Sequence, residues 1–263
     1  MASKYVMVTH DDGVVTITLN RPEKANALNL PMTQELRAAV EAVAKDDSAR
    51  VLVLTGTGRI FMGGGDVSED KRYREMDQET YREWMRSQIH PVTRGLRQLP
   101  IPTIAMVNGA AVGGGFDWAL ACDIRIGSEN ARFCNAFIRV GLVPETGMAH
   151  LLPQIVGLGR ALHILLSGDF VEAAEAERIG LLSRLVPAAE LEKETMALAH
   201  RLAQAPALAT KLTKTLAYHG LVTNLDTALE MAATFQAQAM FSKEHIEGVT
   251  AFLEKRAPVF KRP

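Results

Sequence analysis

Val107–Arg125 reads VNGAAVGGGFDWALACDIR: an apolar approach, three consecutive glycines, then a helical run with an aspartate in its first turn. The spacing predicts a strand over Ile104–Val107, a helix over Phe116–Ala121 and a second strand over Cys122–Gly127. A helix start leaves backbone N–H groups unpaired at the positive end of its dipole, so it attracts negative charge. Gly113, Gly114 and Gly115 lack the Cβ atoms that would keep a ligand oxygen off that backbone. Glycine clusters equally mark tight turns and close helix–strand packing, and this triplet alone reads that way first.

A second triplet stands upstream in Ile60–Val67, IFMGGGDV, directly after an apolar run over Val51–Thr55 that reads as a buried strand. Two such bends from neighbouring strands can each aim one N–H at a single oxygen, which is the geometry of an oxyanion hole. Neither triplet fits G-x-G-x-x-G, and Gly56-Thr-Gly58-Arg-Ile-Phe61 has phenylalanine at the sixth position, so a dinucleotide site is disfavoured. G-x-x-x-x-G-K-[ST], H-E-x-x-H and G-x-S-x-G are absent from the sequence.

The remaining chain supports an α/β reading. Tyr5–Thr9 and Val14–Asn20 flank Asp12-Gly13 as a hairpin. Pro31–Lys45 places Met32, Leu36, Ala39, Val40 and Val43 on one helical side. Ser68–Arg86 is charge-dense with weak helical periodicity and is expected to be a mobile, solvent-facing segment. After about Pro187 strands give way to Ala-rich helical patterns, with stripes at Leu225, Ala228, Leu229, Ala232, Gln236 and Met240 and at Ile246, Val249, Phe252 and Leu253. These helices either close the core or meet another subunit.

A chain of 263 residues with 48% hydrophobic and 22% charged residues can build one large core. A formal net charge of −1 argues against a dedicated nucleic-acid surface. Cys122 and Cys134 lie in expected core segments without C-x-x-C spacing, which favours buried free thiols over a disulfide or a metal site. The start of the chain carries no apolar signal-like stretch, and Pro153, Gly157, Arg160 and His163 interrupt the best membrane-span candidate. A cytoplasmic protein without membrane partners is expected.

Seven segments in this order resemble the crotonase, or enoyl-CoA hydratase/isomerase, superfamily. They are Leu19–Leu28 (LNRPEKANAL), Phe61–Asp66 (FMGGGD), Asn108–Gly115 (NGAAVGGG), Ala121–Arg125 (ACDIR), Gly141–Glu145 (GLVPE), Glu175–Leu182 (EAERIGLL) and Ala251–Lys261 (AFLEKRAPVFK). The resemblance implies a spiral of strand–strand–helix units over residues 1–200 holding an acyl-CoA site. It also implies a helical tail over 201–263 that assembles trimers or hexamers. Coenzyme A would enter as part of the substrate, with no separate cofactor. By position, Gly65 and Gly114 match the two backbone donors that hold a thioester enolate. Lys24 and Ala25 match the loop around the CoA adenine, and Lys261 a tail lysine near the CoA phosphates. Met62, Gly64, Asp66 and Phe137 fall on or beside the substrate site. Asp66 is also expected to brace its own loop, and Trp84, Met85 and Trp118 are candidates for acyl-pocket lining or core. Asp123 and Arg125 read as structural.

Two carboxylates carry the expected proton chemistry. Asp117 returns to the face of Gly114 after three residues and matches the first catalytic glutamate of the family's hydratases. Without the resemblance, a dipole-compensating role for it is an equal alternative. The other hydratase glutamate is missing, because Phe137 stands at its place. Glu145 matches a position where some relatives place an acidic functional residue, while Pro144-Glu145 also reads as an ordinary helix opening. Asp117 with Glu145 permits hydration or double-bond isomerisation. Thioester hydrolysis and a binding protein without turnover are the alternatives, and a nicotinamide dehydrogenase is a remote third.

Overall fold

The computed structural model describes residues 4–260. β1 (Val6–Asp11) and β2 (Val14–Leu19) form the expected antiparallel hairpin, with Val6 opposite Leu19 and Asp11 opposite Val14. α1 (Leu30–Ala44) starts at Asn29, whose side chain accepts from the Met32 amide, and it buries Met32, Leu36, Val40 and Val43. From here strands come in pairs, each followed by helix. β3 (Val51–Gly56) and β4 (Ile60–Met62) lead into α2 (Asp70–Arg74), α3 (Gln78–Trp84), a π turn (Met85–Ile89) and α4 (His90–Gln98). β5 (Thr103–Val107) and β6 (Ala110–Val112) lead into α5 (Gly114–Ala121). β7 (Ile124–Ser128) and β8 (Arg132–Cys134) precede α6 (Met148–Val156) and α7 (Leu158–Ser167); β9 (Val171–Glu172), α8 (Ala173–Arg178) and β10 (Arg184–Val186) finish the core.

In the pairs β3/β4, β5/β6 and β7/β8 the first strand joins a six-stranded sheet, ordered β1-β2-β3-β5-β7-β10, and the second joins a four-stranded sheet, ordered β4-β6-β8-β9. The chain therefore turns a corner between the two sheets once per unit and advances by one strand position, which is a spiral of strand–strand–helix units. Successive corners stack tightly. Asn108 Nδ2 donates to the carbonyls of Gly56 and Gly58, both at 2.8 Å, and a Cβ on Gly109 would lie 1.8 Å from the Arg59 carbonyl oxygen.

Three sequence expectations change here. The short second-sheet strands β4 and β6 lie inside stretches that read as parts of glycine turns, since two or three residues are too few to show alternation. Ser68–Arg86 is largely helical and mostly solvent-facing, but it is tied down on one side, where Tyr73, Tyr81 and Trp84 pack on one another and Met85 is buried. Pro144-Glu145 does not open a helix: α6 begins at Met148, after Gly147 with φ 121°, a left-handed geometry that no helical residue shares.

The tail is helical throughout. α9 (Leu191–Ala203) runs across position 200 and packs Leu191, Ala199 and Ala203 onto Val53, Ile104 and Ile126 of the large sheet. α10 (Ala207–Gly220) is docked through Asp123, which accepts from Lys214 Nζ at 2.8 Å and from the Tyr218 hydroxyl, while the Thr103 amide donates to Asp123 Oδ2 at 2.7 Å. Arg125, buried, donates to the carbonyls of Leu181 and Cys122. α11 (Leu225–Met240) and α12 (Lys243–Leu253) leave their apolar stripes exposed. Among the described residues, no helix is long and apolar enough to cross a membrane and no cluster of His, Cys, Asp or Glu could hold a metal ion. Cys122 and Cys134 are free and buried, and burial pushes the Cys122 thiol up to about 12.

Candidate active site

The two glycine triplets lie next to each other because β4 pairs with β6 in parallel, Ile60 with Ala110 and Met62 with Ala111. Position by position, what a Cβ would meet divides the six glycines. Gly64 has φ 95° and would press a Cβ to 3.1 Å from the Val112 carbonyl. Gly113 has φ 51°, Gly115 would meet the Met62 carbonyl oxygen at 2.5 Å, and Gly63 the Ala25 carbonyl oxygen at 3.0 Å. Those four are required by the backbone. Gly65 and Gly114 are not: a Cβ on Gly65 meets nothing within 4 Å, and one on Gly114 meets only Met62 Cε at an ordinary 3.7 Å.

The same two residues have amides that the fold leaves without an acceptor among the described residues. Gly65 forms an isolated parallel bridge with Leu28, in which the Leu28 amide donates to the Gly64 carbonyl at 2.7 Å and the Asp66 amide to the Leu28 carbonyl at 2.8 Å. In a parallel bridge this leaves the N–H of Gly65 itself turned away from Leu28. Gly114 is the first residue of α5, where the fold supplies no intrahelical acceptor. Gly65 is exposed and Gly114 buried.

The Gly65 bend is braced from below. Asp66 Oδ2 accepts from Arg21 Nη1 at 2.6 Å, and its Oδ1 accepts from the Ser68 amide and hydroxyl. The Ser68 hydroxyl first, and then Arg21, hold the Asp66 carboxyl down at about 2. The loop bearing Lys24 and Ala25 is the other support: the Gly63 amide donates to the Ala25 carbonyl at 2.8 Å, and Arg21 Nη1 to that of Ala27 at 2.9 Å. Ala25 and Asn26 both have φ 53°, and the fully buried Asn26 carboxamide holds that kink by accepting from the Arg21 amide and donating to the carbonyls of Thr57 and Ile60. Lys24 itself is exposed beside this loop. Lys261 lies outside the described residues.

Behind Gly114 sits Asp117, fully buried, with Oδ1 accepting from the Met148 amide. Its Oδ2 makes no hydrogen bond of normal geometry among the described residues. Burial pushes this carboxyl up to about 7; the Thr146 hydroxyl and the Met148 amide oppose the rise and the Glu145 charge adds to it. Glu145 is likewise raised by burial, opposed by the Tyr81 hydroxyl, which donates to Oε2 at 3.2 Å. Both carboxyls are thus raised above their ordinary values, and the charge of one adds to the rise of the other.

Phe137 lies at the edge of this group, its ring 3.5 Å from where a Gly113 Cβ would be. Met62 and Trp118 are fully buried in the main core. His90, unassigned from sequence, bonds the Glu145 carbonyl at 3.1 Å. Arg21, Asn26, Tyr81 and Thr146 join the site only through the fold. Arg21 and Asn26 lie inside the matched LNRPEKANAL segment, which is the signal that could have found them.

Residues 9–263 match the enoyl-CoA hydratase/isomerase family. The chain is 35% identical over 261 residues to the 1,2-epoxyphenylacetyl-CoA isomerase of Escherichia coli, covering 98% of each. It is 33% identical to the crotonyl-CoA hydratase of Syntrophomonas wolfei over 99% of both chains. The crystal structure of enoyl-CoA hydratase from Bacillus anthracis superposes with a TM-score of 0.92 at 33% identity, covering 99% of this chain and 100% of that one. The names of these relatives cover both isomerisation and water addition. The spiral, the paired glycine bends and the full-length similarity agree, and the protein is an enzyme of the enoyl-CoA hydratase/isomerase family.

Proposed function

We propose that the enzyme acts on an unsaturated acyl-CoA thioester, holding the thioester oxygen between the amides of Gly65 and Gly114 while negative charge develops on it. The observation that carries this reading is that, of six glycines in the two adjacent bends, Gly65 and Gly114 are the two at which a Cβ would meet no close contact, so both amides can be approached, and neither N–H has an acceptor among the described residues. Preorganised donors of this kind are each worth ~10²- to 10³-fold in rate. Asp117 and Glu145 then remove and return protons. With Phe137 in place of a further carboxylate, proton transfer between substrate carbons needs no additional group, whereas water addition must recruit Glu145. Lys24, Ala25 and Lys261 are assigned to the CoA moiety, and no cofactor beyond the substrate's own coenzyme A enters the scheme.

The reaction is tested by incubating the protein with enoyl-, dienoyl- and ring-containing CoA thioesters in ¹⁸O water. Product carrying label and the added mass of water indicates hydration, and rearranged product of unchanged mass indicates isomerisation. Labelled free acid would identify thioester hydrolysis instead. Tight binding of every thioester without product would reject the enzymatic scheme.

The exposed apolar stripes of α11 and α12 support a trimer or a hexamer of paired trimers, with these helices meeting other copies.

A further inference from the structure

From Gln78 to Gln98 the chain runs through α3, the π turn and α4, and three hydrogen bonds join it to residues 145–146. The Tyr81 hydroxyl donates to Glu145 Oε2 at 3.2 Å, His90 Nε2 bonds the Glu145 carbonyl at 3.1 Å, and the Thr93 hydroxyl donates to the Thr146 carbonyl at 3.0 Å. A carbonyl only accepts, so His90 carries its proton on Nε2. In an unbroken α-helix Tyr81 and His90, nine residues apart, would lie ~180° from one another. The π turn at Met85–Ile89 takes up an extra residue and re-phases α4, so both side chains reach Glu145.

The Tyr81 ring is held on its other side. It stacks on Trp84 with centroids 5.7 Å apart and an interplanar angle of 30°, and it meets Tyr73 edge-on at 6.1 Å. Tyr73 in turn packs on Trp84 at 4.6 Å and donates to Glu69 Oε2 at 2.9 Å. A hydroxyl on so fixed a ring is a directed donor.

We infer that Tyr81 is the positioning residue of Glu145: its hydroxyl orients the carboxylate and favours the ionised form, while His90 and Thr93 fix the backbone that carries it. The inference rests on the proton-transfer role proposed for Glu145. The groups facing Glu145 are Tyr81 and His90 from the α3–α4 run and Asp117 from α5. Burial resists ionisation of Glu145 and the Tyr81 hydroxyl is the contact that opposes it.

Tyr81→Phe deletes the hydroxyl and keeps the stacked ring. The Glu145 carboxyl is followed in protein labelled with ¹³C-carboxyl glutamate, its signal assigned by its loss in Glu145→Gln, and the pH–rate profile is recorded on the thioester that the enzyme turns over. The expected result is an upward shift of the Glu145 titration in Tyr81→Phe, a rate limb that moves with it, and kcat lower by ~10-fold at unchanged KM to within about twofold. Tyr73→Phe, which removes a hydroxyl from the same aromatic cluster, should leave the titration where it is. An unmoved titration in Tyr81→Phe, or an equal movement in Tyr73→Phe, overturns the positioning role. Full activity in Glu145→Gln instead overturns the role of Glu145 itself, and the titration then still reports whether the two side chains are coupled.

Discussion

The amide of Met148, first residue of α6, donates to Oδ1 of Asp117 in the first turn of α5. Two helix starts thus converge on one carboxyl, an arrangement that by itself favours the charged form. Burial outweighs it, and the group stands near 7 instead of its ordinary 3.8. Its contribution to stability is therefore fully present below about 3.8 and is lost as pH rises through about 7, where the folded protein must carry a buried charge. Asp117→Asn keeps an oxygen for the Met148 amide and removes the ionisation. Its melting temperature relative to wild type should accordingly climb between about pH 4 and pH 7 and level off above that, by roughly 2–4 °C per kcal/mol for a chain of this size. Turnover should fall by ~10²- to 10⁴-fold, the usual worth of a general acid or base. A melting difference that stays flat across this range would show that Asp117 ionises as an ordinary carboxylate.

Gly114 allows one of the two proposed oxyanion donors to be removed alone. It is the first helical residue, the position where proline is tolerated because its amide has no helical partner, and the preceding residue is a glycine at φ 51°, ψ −120°. Gly114→Pro should fold, with the flexible Met62 terminus giving way, and lose ~10²- to 10³-fold in kcat. Gly114→Ala keeps the amide and makes only an ordinary contact. It should stay within about tenfold of wild type in a comparison limited by one added methyl group. Equal rates for the two variants would remove the Gly114 amide from the mechanism.

Asp66 tests the support of the other bend. Its ion pair with Arg21 is largely shielded, the side chains being 9% and 12% exposed, and removing one partner leaves the other uncompensated. Asp66→Asn should cost about 1–3 kcal/mol in denaturant unfolding and raise KM as the Gly65 bend loosens. Because the carboxyl is held down at about 2, its contribution is present above about 3.8 and is lost as pH falls through about 2. Wild type and variant should therefore converge in stability in strong acid, which acid unfolding monitored by circular dichroism measures.

The legible parts of this molecule are those written in neighbouring residues. The hairpin at Asp12-Gly13, the amphipathic α1 and the strand–glycine–helix passage at 104–121 are local patterns, and the structure has them nearly residue for residue. The second sheet was hidden because β4, β6, β8 and β9 have two or three residues each. The partners of Glu145 were hidden for a different reason. Tyr81 and His90 lie 64 and 55 residues from it and meet it through a π turn, and a single helical period cannot predict that phase shift. The charge of Ser68–Arg86 suggested its solvated face but not the side that Tyr73, Tyr81 and Trp84 tie down.

The tail makes the last prediction. Leu225 is 73% exposed, Phe252 82% and Leu253 74%, and with Leu229, Ile246 and Val249 they form continuous apolar faces on α11 and α12. α10 beneath them is docked to the core through Lys214 and Tyr218 on Asp123, so these faces are presented by an anchored support. Monomeric proteins seldom leave apolar patches of this kind in water, and burying each such side chain in an interface is worth ~1.5–3 kcal/mol. Wild-type protein should accordingly scatter light as a trimer or hexamer. Phe252→Asp combined with Leu229→Asp should dissociate it to subunits that keep the circular dichroism of the spiral core, since neither residue belongs to that core. A wild-type protein that is monomeric at micromolar concentration, or a double variant that remains assembled, would mean that these helices do not hold the subunits together.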